Sequence, residues 1–172
     1  MRKSKSGFTI VELIIIIVVI GILATIVIVA YNGSRTRAQN VERINELKAW
    51  QKAFVQYKGT NNGIYPDVAD GGYCLGTGFP DQKCRDYTQA VNFYTEADSA
   101  TLMDILKTYD PPLSGSRVPV NGTVGPYVEY YSDVIHLTAV LNGTASDCPG
   151  GTFYVWGDGA GRILCRVALE RD

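Results

Sequence analysis

The chain has 172 residues, 46% of them hydrophobic and 19% charged, with 16 Lys and Arg against 17 Asp and Glu. That length suits one domain with an appendage, and the composition excludes a disordered chain or a collagen-like repeat. A formal net charge of −1 argues against general nucleic-acid binding, which needs a basic face to displace counterions from phosphates.

The even average hides a lopsided distribution. Within residues 8–30, 19 of 23 are apolar and Glu12 alone is charged. Residues 13–30 form an uncharged run of 18, which as a helix reaches about 27 Å, close to the hydrocarbon thickness of a bilayer. Arg2, Lys3 and Lys5 form a basic stretch before it. A secretory signal peptide is the obvious rival, but its apolar region usually has only about 7–15 residues and ends in a small-x-small cleavage pair. Here the run is longer and continues into Tyr31-Asn32-Gly33-Ser34. A carboxylate in a membrane helix costs about 2.5–3.5 kcal/mol at the helix centre and less toward its end, so Glu12 needs a partner and a task. A plain anchor has no use for it.

The order Lys5-Ser6-Gly7-Phe8-Thr9-Ile10-Val11-Glu12 resembles the prepilin signal of type IV pilins and of the related pseudopilins of type II secretion. In that family a short basic leader ends in Gly and the mature chain begins with Phe. The resemblance implies that a membrane-embedded prepilin peptidase cuts between Gly7 and Phe8 on the cytoplasmic side. It also implies that Phe8 becomes the N-methylated first residue and that Glu12 is the family's fifth-position glutamate. Cleavage removes three positive charges and creates an α-ammonium at Phe8. A Glu12 carboxylate from an adjacent subunit then pairs with that ammonium inside an apolar filament core and sets axial register. Gly21 sits midway along the span, where it weakens a helix but permits close helix approach. The position at which many pilins carry a helix-kinking proline is Val29 here.

After Asn32-Gly33, read as a weak break, Val41, Ile44, Leu47, Trp50, Phe54 and Tyr57 recur at three- or four-residue spacing among polar residues. The spacing predicts an amphipathic helix over 34–58, capped by Ser34 and ended by the turn formers of 59–63. With the span, one helix of some 50 residues is expected. From residue 59 the texture changes to Gly, Pro and Asp punctuation. Short runs rich in Val, Tyr, Thr and Ile at 127–131, 134–141, 152–156 and 162–169 read as antiparallel strands. A short helix is expected over 99–109, before Pro111-Pro112, and turns at Asn142-Gly143 and Gly157-Asp158-Gly159. Helix, loop and sheet in that order make an α+β chain. They resemble the type IV pilin fold, a long N-terminal helix packed on a C-terminal antiparallel sheet. The expected divisions are a leader at 1–7, a membrane or filament-core helix at 8–30, its amphipathic continuation at 31–58 and a globular head at 59–172.

Cys74, Cys84, Cys148 and Cys165 all lie beyond the apolar run, an even number on what this topology makes the extracytoplasmic side, so disulfides are expected. Three connectivities are open. Local pairing, Cys74 with Cys84 and Cys148 with Cys165, is adopted because each pair brackets one loop-like unit. A zinc site is disfavoured: there is no Cys-x-x-Cys, and His136 is the one histidine.

No catalytic residue, metal site or cofactor is assigned. A single histidine excludes two-His metal sites and most His-based triads, and no Gly-x-Ser-x-Gly or phosphate-loop pattern appears. Gly157-Asp158-Gly159-Ala160-Gly161 lacks dinucleotide-binding spacing and reads as a hairpin turn. Asp67, Asp70, Asp81 and Asp86 read as solvated turn residues in place of a calcium loop. Asn32, Asn121 and Asn142 each head an Asn-Gly-Ser/Thr triplet and read as turns, not glycosylation acceptors. Arg35, Arg37 and Arg43 are the local basic residues on which DNA contact would rest. They are placed instead at the membrane or filament surface.

The reading is a structural subunit of a type IV pilus, a filament serving adhesion, motility or DNA uptake, with a type II secretion pseudopilin and a signal-anchored monomeric binding domain as rivals. The resemblance implies further copies of the chain, other pilins, the prepilin peptidase, an assembly ATPase and a platform protein as partners. It implies a single-pass inner-membrane precursor with a cytoplasmic N-terminus, and an extracellular filament after assembly.

Overall fold

The computed structural model describes residues 9–85, 94–112, 118–120, 122–159 and 161–171. The chain divides into two compact units, Met1–Ala38 and Gln39–Asp172. Helix α1, Ile10–Thr60, runs from the first into the second.

In the first unit, β-branched Ile and Val dominate a helix whose propensity they do not favour. Burial inside that unit gives them nothing, since the large apolar side chains described from Ile10 to Ile28 are all exposed. The helical form is the one that satisfies every backbone group within a single segment, which an apolar surrounding demands. Asn32, Gly33 and Ser34 lie inside α1. The break, the cap at Ser34 and the turn at Asn32 are therefore corrected. One glycine costs about 1 kcal/mol relative to alanine, too little to stop a helix already propagating on both sides. Thr36 bonds back to the Asn32 carbonyl at 3.1 Å.

The second unit is built on a five-stranded antiparallel sheet in the order β1-β4-β5-β7-β6. Its strands are β1 (Gly71–Cys74), β4 (Tyr127–Tyr130), β5 (Val134–Asn142), β6 (Phe153–Gly157) and β7 (Arg162–Glu170). Alternation assigns the two faces. Val128, Tyr130, Ile135, Leu137, Ala139, Leu141, Ile163, Cys165, Val167 and Leu169 form one core with Leu47, Trp50 and Phe54 of α1 and with Leu102 and Leu106. The last two belong to α2, Glu96–Leu106, whose N-cap Thr95 accepts the Asp98 N–H at 3.1 Å. This is an α+β chain whose long N-terminal helix packs on a C-terminal antiparallel sheet.

The opposite face carries a second, smaller core that sequence patterning gave no reason to expect. Strands β2 (Lys83–Arg85) and β3 (Tyr94–Thr95) pair with each other. Cys74, Phe79, Cys84, Val124 and Tyr127 cluster there with Val140 and Leu164. The disulfide Cys74–Cys84 belongs to this smaller core, and Cys148–Cys165 to the larger one. Gly72 permits the close approach, because a Cβ there would lie 1.9 Å from Tyr94 Cζ.

Candidate functional site

Gly7 and Phe8 lie outside the described residues, so the functional region is seen from Thr9 onward. Thr9 and Glu12 form a reciprocal cap at the start of α1. The Glu12 N–H donates to Thr9 Oγ1 at 3.3 Å. Glu12 Oε2 accepts the Thr9 N–H at 2.8 Å and the Thr9 hydroxyl at 2.7 Å. A Thr-x-x-Glu spacing supplies this geometry because residues three apart meet on one helix turn. The Thr9–Glu12 spacing that makes this cap is plain in the sequence, whereas the charge of Glu12 alone does not point to Thr9.

From Glu12 the helix presents apolar side chains on every side. The stretch is long and apolar enough to cross a membrane, and none of it is buried. Fifteen large apolar side chains between Ile10 and Ile28 stand exposed. At roughly 1.5–3 kcal/mol for burying each, removing them from water is worth tens of kcal/mol. A typical domain's whole stability is about 5–15 kcal/mol. This surface therefore needs lipid or other helices around it.

The remaining motif residues fall into structural roles. Arg43, read as a surface arginine, is corrected: it is 4% exposed. Its guanidinium donates to the carbonyls of Val140 at 2.6 Å, Val124 at 3.4 Å and Val118, so it ties Val118 and Val124 to β5 and has no fork left for a phosphate. Arg35 and Arg37 are exposed. His136 sits half-buried on β5 between the rings of Tyr131 and Phe153, at centroid distances of 5.4 and 6.1 Å. Burial first, and then the Arg166 charge, hold its imidazole below the usual histidine range.

Near His136 the second core contains a buried ion cluster with no local signature in the sequence. Glu129, 5% exposed, accepts from Arg85 and Arg166 on its two oxygens and from the Tyr94 hydroxyl at 2.8 Å. Burial and the bond to Glu129 push the Tyr94 phenol up. Both carboxylate oxygens are taken by donors of the cluster, which suits a structural lock better than acid–base chemistry.

Gly157 ends β6 and Asp158 and Gly159 follow it, with the Asp158 carboxylate accepting the Arg162 N–H at 3.0 Å. Asn142 ends β5, and the Gly143 N–H donates to the Gly161 carbonyl at 2.7 Å. Asp70 pairs with Arg171 at 3.1 Å, and Asp67 and Asp81 are exposed. Asp86 and Asn121 lie outside the described residues. Among the described residues no three His, Cys, Asp or Glu gather to hold a metal ion.

The prokaryotic N-terminal methylation motif, as a family model, matches residues 2–28. The chain is 33% identical over 70 residues to type II secretion system core protein G of Aeromonas hydrophila, covering 41% of this chain and 48% of the relative. It is 30% identical over 89 residues to the protein of that name from Vibrio cholerae, covering 52% and 60%. It is 37% identical over 67 residues to type IV major pilin protein PilE1 of Neisseria gonorrhoeae, covering 39% and 31%. The chain spans about a third to three fifths of the length of these relatives. No solved structure matches it. The chain carries the N-terminal methylation motif, and its likeness is to the type IV pilins and the pseudopilins of type II secretion.

Proposed function

We propose that this chain is the structural subunit of a type IV pilus. Its precursor sits in the inner membrane with the N-terminus in the cytoplasm and residues 59–172 outside. The prepilin peptidase trims it after Gly7, Phe8 is N-methylated, and an assembly ATPase working through a platform protein draws it into a filament. The observation that carries this reading is the methylation motif at 2–28 leading into an apolar helix surface too large to stand in water. Glu12 accepts bonds from Thr9 on Oε2, and the Phe8 ammonium of an adjacent subunit supplies the countercharge. Removing one partner of a fully desolvated pair costs about 3–5 kcal/mol, so Glu12→Ala blocks assembly while the precursor remains in the membrane.

Intact mass and N-terminal sequence of the protein from native membranes and from sheared surface material test the reading. A chain beginning at Phe8 with one added methyl group is the expected result. An intact Met1, or cleavage beyond Ala30, overturns it. The likeness to core protein G over 70 and 89 residues favours a second reading, a pseudopilin of a type II secretion system. Deleting the gene separates the two: loss of surface filaments marks the pilus, and loss of protein export with filaments intact marks the pseudopilus.

A further inference from the structure

Two surfaces of the second unit are unpaired and complementary. Along α1, Arg43, Glu46, Leu47, Trp50, Ala53 and Phe54 are buried. Successive helical residues turn by about 100°, so Val41, Lys48, Lys52 and Val55 share one stripe roughly 60° wide on the side away from that core. Val41 is 56% and Val55 50% exposed, and both lysines are exposed. Neither lysine makes an ion pair among the described residues. Being four residues apart, they present two ammonium groups on adjacent turns.

The second surface is a groove of about 350 Å³ beyond the C-terminal end of α1, lined by Ile64, Tyr65, Asp67, Ser132, Asp133 and Arg171 among others. Arg171 is committed to Asp70 at 3.1 Å and to the Tyr131 carbonyl at 2.8 Å. Asp67 and Asp133 are exposed and make no ion pair among the described residues. The chain already rests one of its own ammonium groups on this wall, Lys58 Nζ lying 4.7 Å from the Tyr65 ring centroid. Ile64, 63% exposed, gives the rim an apolar lip.

We infer that the Val41–Lys48–Lys52–Val55 stripe of one copy docks into the Asp67–Asp133 groove of a second copy. Two lysines meet two aspartates, and exposed valines meet Ile64. The inference rests on the filament reading and names the contact between globular units within it. The patches differ, so the contact is heterologous, and a heterologous contact that does not close extends into an open helix. Opposite charges fix its register, and like charges brought together there oppose it.

Charge reversal in the full-length chain, expressed in its native cells, tests the inference. Lys48→Glu with Lys52→Glu, and separately Asp67→Lys with Asp133→Lys, each lower the yield of sheared filaments about tenfold or more. All four substitutions together restore it, which a merely structural role of these exposed residues would not do. A second measurement needs no reversal: Lys52→Cys with Asp133→Cys gives disulfide-linked dimers and ladders in oxidised filaments. Unchanged yield in both reversed pairs, no restoration in the combined variant, or filaments without ladders overturns the contact and leaves the filament reading standing. Absence of filaments from the unmodified chain overturns both.

Discussion

Glu129 shows what a single buried carboxylate does when two cations hold it. Arg85 of β2 and Arg166 of β7 both reach it, and the Arg85 guanidinium also stacks on Tyr94 and Tyr127 at 4.9 and 5.1 Å. Removing the carboxylate strands two cations in a poorly solvated place, a change that costs about 3–5 kcal/mol. Glu129→Ala is therefore expected to lower the denaturant midpoint by that equivalent, and Glu129→Gln, which keeps the acceptor oxygen, by less. Gly72→Ala acts on the same cluster by steric means. The added methyl displaces the Tyr94 ring and is expected to cost about 1–3 kcal/mol, with loss of the Tyr94–Glu129 bond visible in the phenol titration. His136 adds a pH dependence. Its folded-state imidazole is held below the ordinary value by burial and by Arg166, partly opposed by Glu129 and Asp133. The unfolded chain consequently binds the proton more readily, and its contribution to stability is lost as pH falls from about 6.5 through the lowered value. Melting curves at pH 7.5 and 5 are expected to differ less in His136→Phe than in the unmodified chain; an equal difference sinks the assignment.

At the scale of elements, α1 is legible from its apolar run and the three- or four-residue spacing beyond it, and strands β4, β5, β6 and β7 from runs rich in Val, Ile, Tyr and Thr between turn formers. The fold class follows from them. Strands β1, β2 and β3 are not legible: they have four, three and two residues, and Gly71 and Gly72 argue locally for a turn. Pairing with β4 makes β1 a strand, and pairing with each other over the sheet's second face does so for β2 and β3. The Arg85–Glu129–Arg166 cluster is equally silent, joining residues 44 and 37 positions apart, whereas the Thr9–Glu12 cap is local and readable. Arg43 is misread for a related reason. Its place in the helical period puts it beside the buried stripe, and its charge argues for the surface until three carbonyls are found to receive it. Each buried carbonyl left without a donor costs about 1–3 kcal/mol. Arg43→Met, which keeps the length of the side chain, is expected to destabilise the second unit by about 2–5 kcal/mol and to raise amide exchange first in residues 118–124. Uniform exchange across the sheet would show that the arginine acts on the whole core and not on that segment.

For the whole molecule, the division at Ala38 separates two different requirements. Residues 10–38 satisfy their backbone as a helix and leave their side chains for lipid or neighbours to cover. Residues 39–172 bury a core of their own against one face of the sheet and a smaller one against the other, each tied by a disulfide. The core of the second unit is built without the side chains of the apolar stretch, which are exposed. A fragment comprising residues 39–172 is accordingly expected to be soluble, monomeric and cooperatively folded, with both disulfides formed. Its loops close over 10 and 17 residues, for which loop-closure entropy gives about 3 kcal/mol per bridge, so reduction is expected to lower stability by several kcal/mol without changing the fragment's solubility. Calorimetry with and without reductant, beside sedimentation of the oxidised fragment, tests the division. A fragment that aggregates or melts without a cooperative transition while oxidised would mean that residues 10–38 belong to the folding unit, and that covering the apolar helix and stabilising the globular unit are one requirement.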